Sequence, residues 1–584
     1  MMLSRPRLAV ALALLALGCG DSDSTSTGGG GGGTTVGTGG TGGDPGPANM
    51  LPVAVIRATP PSGAAPLTVD LSGSESTDAD GQIVVYTWSI DHELDVGMDV
   101  THVFEAGCHP IELSVTDDDG GIGTATAVVA VAAGEPELPP NVTVDVAPLP
   151  SAVLPRDMTT DEGTAHFSGV VNSDGFTEVR ADVMDGDTVR TSVSVPLCEA
   201  APAMFEIDVP IPSELTAFEV KLSVVGGGEA YEVYSVADLV AGDIFVVTGQ
   251  SNAESAQYAG DANENQSDFV RSFGTNTEDG ATTAGDMVWR IANGNAGSGP
   301  GAIGQWPMRM AGQLSTLHET PIGLLNGARG GMPIDYFQRN DADTTNLSTN
   351  YGRLLTRMRG ASLESSIRAI LWYQGESDGA GFQVHHDGFL ALKADWAEDY
   401  AGVERLYVTQ LRAGCGGDLI RTQEVQRQLA DDFPEITVMS TTGLDAHDGC
   451  HYAYEGGYRE LGDRYAGLLG RDLYGEMPAA DVQPPNPASA QFASGGTQVR
   501  VAMRNPDSIL TADAAASANF RFEGATATVS GAAIENNVLV LTISGDPSGA
   551  TGLTYLGHQG AGPWILNENG IGLLAFYNLP IAPE

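Results

Sequence analysis

Ser251 and His451 are the residues of this chain whose types and surroundings best fit chemistry. Ser251 follows the apolar run Ile244-Phe-Val-Val-Thr-Gly249-Gln250, so its hydroxyl is presented just past the end of a short strand. A serine hydroxyl is a weak nucleophile at neutral pH. It attacks a carbonyl when an imidazole stands beside it and a carboxylate orients that imidazole. Asp448-Gly-Cys-His451 supplies both partners in one turn, ahead of a helical pattern that starts at Glu455. Asp445 and His447 lie in the same segment, and His447 is the alternative base. Acyl transfer also needs donors aimed at the developing oxyanion. Two segments offer them. Gly327-Ala-Arg329-Gly330-Gly331 allows close backbone approach, and Trp372-Tyr-Gln374-Gly-Glu376-Ser carries a side-chain amide at Gln374. Arg329, Glu376 and Asn252 are candidates for contact with substrate. No metal or cofactor is called for: His385-His386-Asp387 lacks further ligands at zinc spacing and reads as a solvated loop.

The elements that must position these residues begin after Leu239. Strands are predicted at Ile244-Val247, Ile322-Leu325, Ile367-Trp372, Leu406-Gln410 and Ile436-Ser440. They alternate with helical patterns at Gln305-Leu317, Asn350-Arg359, Phe389-Tyr400, Asp418-Asp432 and Glu455-Leu473. Such alternation predicts a parallel sheet covered on both faces, with ligands bound beyond the carboxyl ends of its strands. Ser251, Gly330, Gln374 and His451 all follow strand ends, so one crevice collects them.

Four ordered blocks carry a resemblance: Gly249-Gln-Ser-Asn-Ala253, Gly330-Gly331, Trp372-Tyr-Gln-Gly-Glu376-Ser, and Asp448-x-x-His451 followed by Gly457-x5-Asp463-Arg464. Together they resemble the SGNH hydrolase superfamily over about 240–475. More narrowly they resemble its sialate O-acetylesterase-like branch, which includes acetylxylan esterases of carbohydrate esterase family six. The resemblance implies Ser251 as nucleophile, His451 as base and Asp448 as its orienter. It implies an oxyanion hole from the Ser251 N–H, Gly330 or Gly331, and the Gln374 amide. It also implies an O-acetylated carbohydrate as substrate, sialate or xylan. Ala253 stands where the branch commonly has methionine, and Met332-Pro333 where a Ser or Thr follows the glycines.

Upstream, residues 51–135 alternate in strand-like runs. Gly63-Ala-Ala-Pro-Leu, Ser76-Thr-Asp78-Ala-Asp80-Gly, Tyr86-Thr-Trp88 and Val115-Thr-Asp117-Asp-Asp-Gly120 resemble a PKD domain, which implies a spacer or a polysaccharide or protein contact. Its acidic loops, Asp78 and Asp80 included, read as turn formers rather than calcium ligands. Residues 140–238 and 486–584 also read as β-structure. The expected fold class is therefore multidomain: an α/β flavodoxin-like three-layer catalytic domain at 239–476, flanked by β-sandwich domains at 51–135 and 140–238 and a small β-domain at 486–584.

Arg5, Arg7, the apolar run Leu8 to Leu17 and Ala16-Leu-Gly-Cys19 resemble a bacterial lipoprotein signal over residues 1–19, with Cys19 as the lipidation site. A Gly-rich tether follows at 20–50. This implies an extracytoplasmic protein held to a membrane through an N-terminal lipid. With Cys19 set aside, four cysteines remain in an oxidising compartment. Cys415 and Cys450, in Gly-rich loops after strands of one sheet, are the expected pair, and a bond between them would brace the loop of His451. Pairing of Cys108 with Cys198 is left only as the remainder. The net charge of −48, from 27 Lys+Arg against 75 Asp+Glu, excludes a polyanion-binding surface and hence nucleic acid. It disfavours acidic substrates unless a local arginine offsets the field. A non-catalytic glycan-binding or adhesion lipoprotein built on a relict hydrolase is the rival from another class; intact Ser251, Gln374, Asp448 and His451 argue against it.

Overall fold

The computed structural model describes residues 49–557 and 562–584. The lipoprotein signal, Cys19 and most of the Gly-rich tether lie outside the described residues. Among those described, no helix is long and apolar enough to cross a membrane.

The first β-unit packs a three-stranded sheet (Arg57–Thr59, Leu67–Ser72, Asp99–Phe104) on a five-stranded one that includes Ile83–Ile90, Gly107–Asp117 and Ile122–Ala132. Val69, Leu71, Trp88, Leu113 and Val115, from both sheets, are fully buried between them. In the second unit, strand Ala203–Pro212 shows the period of two that a half-buried strand requires. Ala203, Phe205, Ile207, Val209 and Ile211 face inward, while Met204, Glu206 and Asp208 face water. Cys108 and Cys198 are bonded, which ties the two units together.

One strand, β1 (Glu229–Gly249), is 21 residues long. Its first half pairs antiparallel with Phe218–Gly226 of the second unit, and its second half is the centre of the next sheet. A boundary read between 238 and 239 therefore falls inside a continuous strand. That next sheet adds β2 (Val270–Phe273), β3 (Ile322–Asn326), β4 (Ile367–Tyr373), β5 (Arg405–Thr409) and β6 (Ile436–Met439), all parallel, in the spatial order β2-β3-β1-β4-β5-β6. Alternate residues of its strands enter two different cores. Phe245, Val247, Leu371 and Tyr373 pack with Trp306, Met310 and Leu314 of helix α2 (Gln305–His318) and with Leu461, Tyr465 and Leu469 of α6 (Arg459–Tyr474). Ile244, Val246, Ile370 and Trp372 pack with residues of α3 (Asn350–Gly360), α4 (Phe382–Asp399) and α5 (Ile420–Asp432). Both faces of the sheet are thus dry, which is why its strands read as unbroken apolar runs.

Helix α4 starts seven residues earlier than the pattern from Phe389 suggests. It takes in His385 and His386, and the solvated-loop reading is corrected here: His385 is fully buried, its Nδ1 2.9 Å from Asp378 Oδ2.

The last unit, an eight-stranded sheet with its own core around Val499, Leu541 and Phe576, docks on the carboxyl end of the parallel sheet. Gln410, just past β5, exchanges two 2.9 Å hydrogen bonds with the backbone of Ala575. Buried Arg464 donates to the carbonyls of Ser440 and Thr442 and, across the junction, to that of Gly570.

Candidate active site

Strand β1 ends on Gly249, whose φ is +131° and where a Cβ would lie 2.2 Å from the Tyr373 carbonyl oxygen. Only glycine allows this approach of β1 to β4. The Gln250 N–H donates to that same carbonyl at 2.9 Å. Its side-chain oxygen accepts the N–H of Ser377 at 3.1 Å, which pins the Gln374-to-Ser377 loop to the turn. Ser251 then opens a single helical turn, α1 (Ser251–Glu254).

His451 meets it from the loop after β6, with its Nε2 3.0 Å from Ser251 Oγ. Asp448 shapes that loop. Its Oδ1 accepts the N–H groups of Cys450 and His451, both at 2.8 Å, and Oδ2 lies 3.4 Å from His451 Nδ1. Those backbone donors, Cys450 first, hold the Asp448 carboxyl below its ordinary range, so it is ionised at neutral pH. Tyr258 stacks on the imidazole, ring centroids 4.3 Å apart and planes within 11°. The alternative base, His447, turns away: its Nε2 is 2.9 Å from the Arg412 guanidinium, and burial together with Arg412 lowers its pKa.

Cys415 and Cys450 are bonded, with Cα atoms 4.8 Å apart. The bridge joins the loop after β5 to the residue before His451. Replacing both cysteines by serine is expected to lower kcat on p-nitrophenyl acetate by up to about 10²-fold, because a small displacement of the His451 imidazole from Ser251 would be that costly. Reduction of the native protein should reproduce the loss. Unchanged kcat in both experiments would show that Asp448 and Arg412 hold the loop without the bridge.

Two side chains expected at the substrate, Asn252 and Glu376, and one expected in the oxyanion hole, Gln374, are buried behind the Ser251 turn. Asn252 is fully buried. It donates to Glu376 at 2.8 Å and accepts from Tyr458 Oη at 2.8 Å, so it braces the nucleophile turn from below. Glu376 is 5% exposed beneath the same turn, with no surface to offer a ligand. The Gln374 amide is fully buried and donates to Asp378 Oδ2 at 3.0 Å and to the Met332 carbonyl at 3.3 Å, so its protons point into the protein rather than into the crevice. Such buried contacts are invisible in a motif, where a polar residue beside a nucleophile reads the same whether it faces up or down.

Burial pushes the Glu376 carboxyl up to about 7. The folded chain therefore keeps its proton between the ordinary value of 4.5 and about 7, where the unfolded chain has lost it. Stability falls as pH rises through that window, by about 3 kcal/mol in all. Glu376→Gln is expected to remove this slope, and the gap in melting temperature between variant and wild type should open in the variant's favour from pH 5 to pH 8. Parallel curves would refute it.

The crevice wall carries charge. Arg329 is paired with Glu278, whose other oxygen accepts from Tyr336 Oη at 3.0 Å. Glu254 of α1 lies beside this pair, with its Oε2 against Gly330. Burial raises its pKa, while Arg329 and the backbone of Gly330 oppose the rise. Sequence reasoning missed Glu254 and Glu278: neither stands in a recognisable motif position. Among the described residues, no group of three or more His, Cys, Asp or Glu is placed to hold a metal ion.

Comparison with known proteins assigns this architecture. Residues 241–470 match the family described as "Carbohydrate esterase, sialic acid-specific acetylesterase", and residues 49–131 match the PKD domain. Among solved structures, a carbohydrate acetylesterase from Xanthomonas citri is 18% identical with a TM-score of 0.54, covering 75% of this chain and 99% of its own. At that identity the likeness is one of fold. A protein from Arabidopsis thaliana is 19% identical over 39% of this chain and 98% of its own, TM-score 0.32. The PKD1 domain of Vibrio anguillarum Epp is 28% identical over 14% of this chain and 99% of its own, TM-score 0.13. Residues 241–470 are thus a carbohydrate esterase domain of the sialic acid-specific acetylesterase family, a carboxylic ester hydrolase carried behind a PKD domain.

Proposed function

We propose that this protein is an extracytoplasmic carbohydrate O-acetylesterase working through an acetyl-serine intermediate. The observation that carries the reading is the 3.0 Å approach of His451 Nε2 to Ser251 Oγ within a carbohydrate esterase domain. Ser251 Oγ attacks the acetyl carbonyl while His451 Nε2 takes its proton, and Asp448 steadies the imidazolium that forms. The N–H groups of Ser251 and of Gly330 or Gly331 face the developing oxyanion. Gln374, with its amide engaged by the Met332 carbonyl and the Asp378 carboxylate, steadies its loop instead of donating into that hole. The sugar alkoxide leaves with the proton held by His451. Water, deprotonated by the same imidazole, then hydrolyses the acetyl-serine to acetate.

The order β3-β1-β4-β5-β6 corresponds to the 2-1-3-4-5 order of flavodoxin-like sheets, and in this reading the crevice lies at its switch point. The PKD domain is read as a spacer or polysaccharide contact, and Cys19 as the site of a lipid anchor that holds the enzyme at a membrane. Two disulfides support an oxidising compartment. A fluorophosphonate probe tests the reading: mass spectrometry should find the adduct on Ser251, and acetate should be released from O-acetylated glycans. Binding of polysaccharide without labelling or acetate release would favour a relict hydrolase.

A further inference from the structure

A family named for an anionic sugar would be expected to present a cation to its substrate, and Arg329 is the cation of this crevice wall. It is already taken. Its guanidinium is paired with Glu278, and Glu254 stands on its other side. Glu254 is the more telling group. It sits one helical turn from Ser251, and a Cβ built on Gly330 would lie 2.7 Å from its Oε2 and 3.5 Å from Ser251 Cβ. The Glu254 carboxyl is therefore within a side chain's width of the reacting serine, resting against Gly330 of the loop that faces the oxyanion. Asp448, its side chain 61% exposed, adds a third carboxylate beyond the imidazole. Burial first, then the charges of Glu254 and Asp448, raises the pKa of the Tyr258 hydroxyl. Glu278 and Glu254 beside Arg329, and Asp448 beside His451, thus place three carboxylates around a site whose protein carries a net charge of −48.

Building on the esterase reading above, we propose that Glu254 is a specificity-determining residue: it accepts a hydroxyl of the sugar that bears the ester and repels a sugar carboxylate, so the site takes acetyl esters of uncharged sugars in preference to sialate. A neutral sugar offers hydroxyl donors that a carboxylate oxygen accepts without loss of charge balance. An anionic sugar brings its own carboxylate into a field that Arg329, already paired, does not offset.

The test compares kcat/KM of the full-length protein on three probes: p-nitrophenyl acetate, a mono-O-acetylated methyl glucoside, and O-acetylated N-acetylneuraminic acid. Turnover of the first with at least about a tenfold preference for the glucoside over the sialate is expected. The preference should narrow as salt is raised. It should fall about tenfold in Glu254→Gln and also in Glu278→Gln, which frees Arg329 and keeps the test valid should the first variant fold poorly. A preference unchanged in both variants would overturn the role of Glu254. Turnover of p-nitrophenyl acetate with equal or better use of the sialate would overturn the inference and leave the esterase reading standing. Absence of p-nitrophenyl acetate turnover in the wild type would instead remove the esterase reading on which the inference rests.

Discussion

Replacement of Ser251 by alanine is expected to lower kcat on p-nitrophenyl acetate by about 10⁴-fold or more, and His451→Ala to lower it by a similar factor. The two residues act as a unit, so the double variant should be little worse than either single one. Asp448→Asn should cost less, about 10²-fold, since its carboxylate is exposed and 3.4 Å from the imidazole. His447→Ala is the control. Its imidazole is engaged with Arg412, and its loss should change kcat by less than about tenfold. Steady-state kinetics with melting temperatures alongside would check the series. Wild-type rates in Ser251→Ala would show that the nucleophile has been assigned wrongly, and a larger loss in His447→Ala than in His451→Ala that the base has.

The largest effect on stability is expected far from the chemistry, at Asp243. This aspartate is 1% exposed and receives hydrogen bonds from two arginines, Arg156 at 3.1 and 2.8 Å and Arg368 at 3.1 Å. Both guanidinium groups also lie over the ring of Tyr474, 5.9 and 5.0 Å from its centroid. Asp243→Ala would remove the shared buried partner of two largely buried cations, leaving Arg156 to Asp161 and Arg368 to Glu404, a change that costs about 3 kcal/mol. Calorimetry should show the transition of this region roughly 10 °C lower. By contrast, Arg57→Ala breaks an ion pair whose side chains are 67% and 53% exposed, and should shift the melting temperature by less than about 2 °C. Equal shifts in the two variants would contradict this account.

The proximity of Ser251 and His451 was legible because both lie in short, ordered motifs: Ser251 after a strand, His451 three residues beyond Asp448. The strands β1, β3, β4, β5 and β6 were legible because a sheet buried on both faces leaves continuous apolar runs. Other features depend on contacts that no local pattern records. Strand β2 was missed because Val270-Arg-Ser-Phe273 carries an arginine; Arg271 is 1% exposed, its charge met by Asp238 and by the carbonyls of Ser151 and Asp268. The start of α4 was missed because two histidines and Gly388 read as a loop. In the fold Gly388 lets the helix press on Ile334, where a Cβ would meet Cγ1 at 2.7 Å. The predicted strand begins only at Ile244, after Gly242-Asp243. Yet Gly242 is needed where a Cβ would lie 1.9 Å from the Pro321 carbonyl oxygen, and Asp243 is held by its arginines.

The 21-residue strand also bears on how such a protein is inherited and handled. Domains that are shuffled among genes are usually beads on a string, cut and rejoined in linkers. Here the edge of the esterase family match, residue 241, falls midway along a strand hydrogen-bonded on both sides of that point. A cut there would strand Asp243 without Arg156 and strip Arg271 of its Ser151 and Asp238 acceptors. The esterase and the β-unit ahead of it are therefore one heritable piece. A shortened protein intended to keep activity has to begin before Val142, and one that drops the PKD domain also gives up the partner of Cys198.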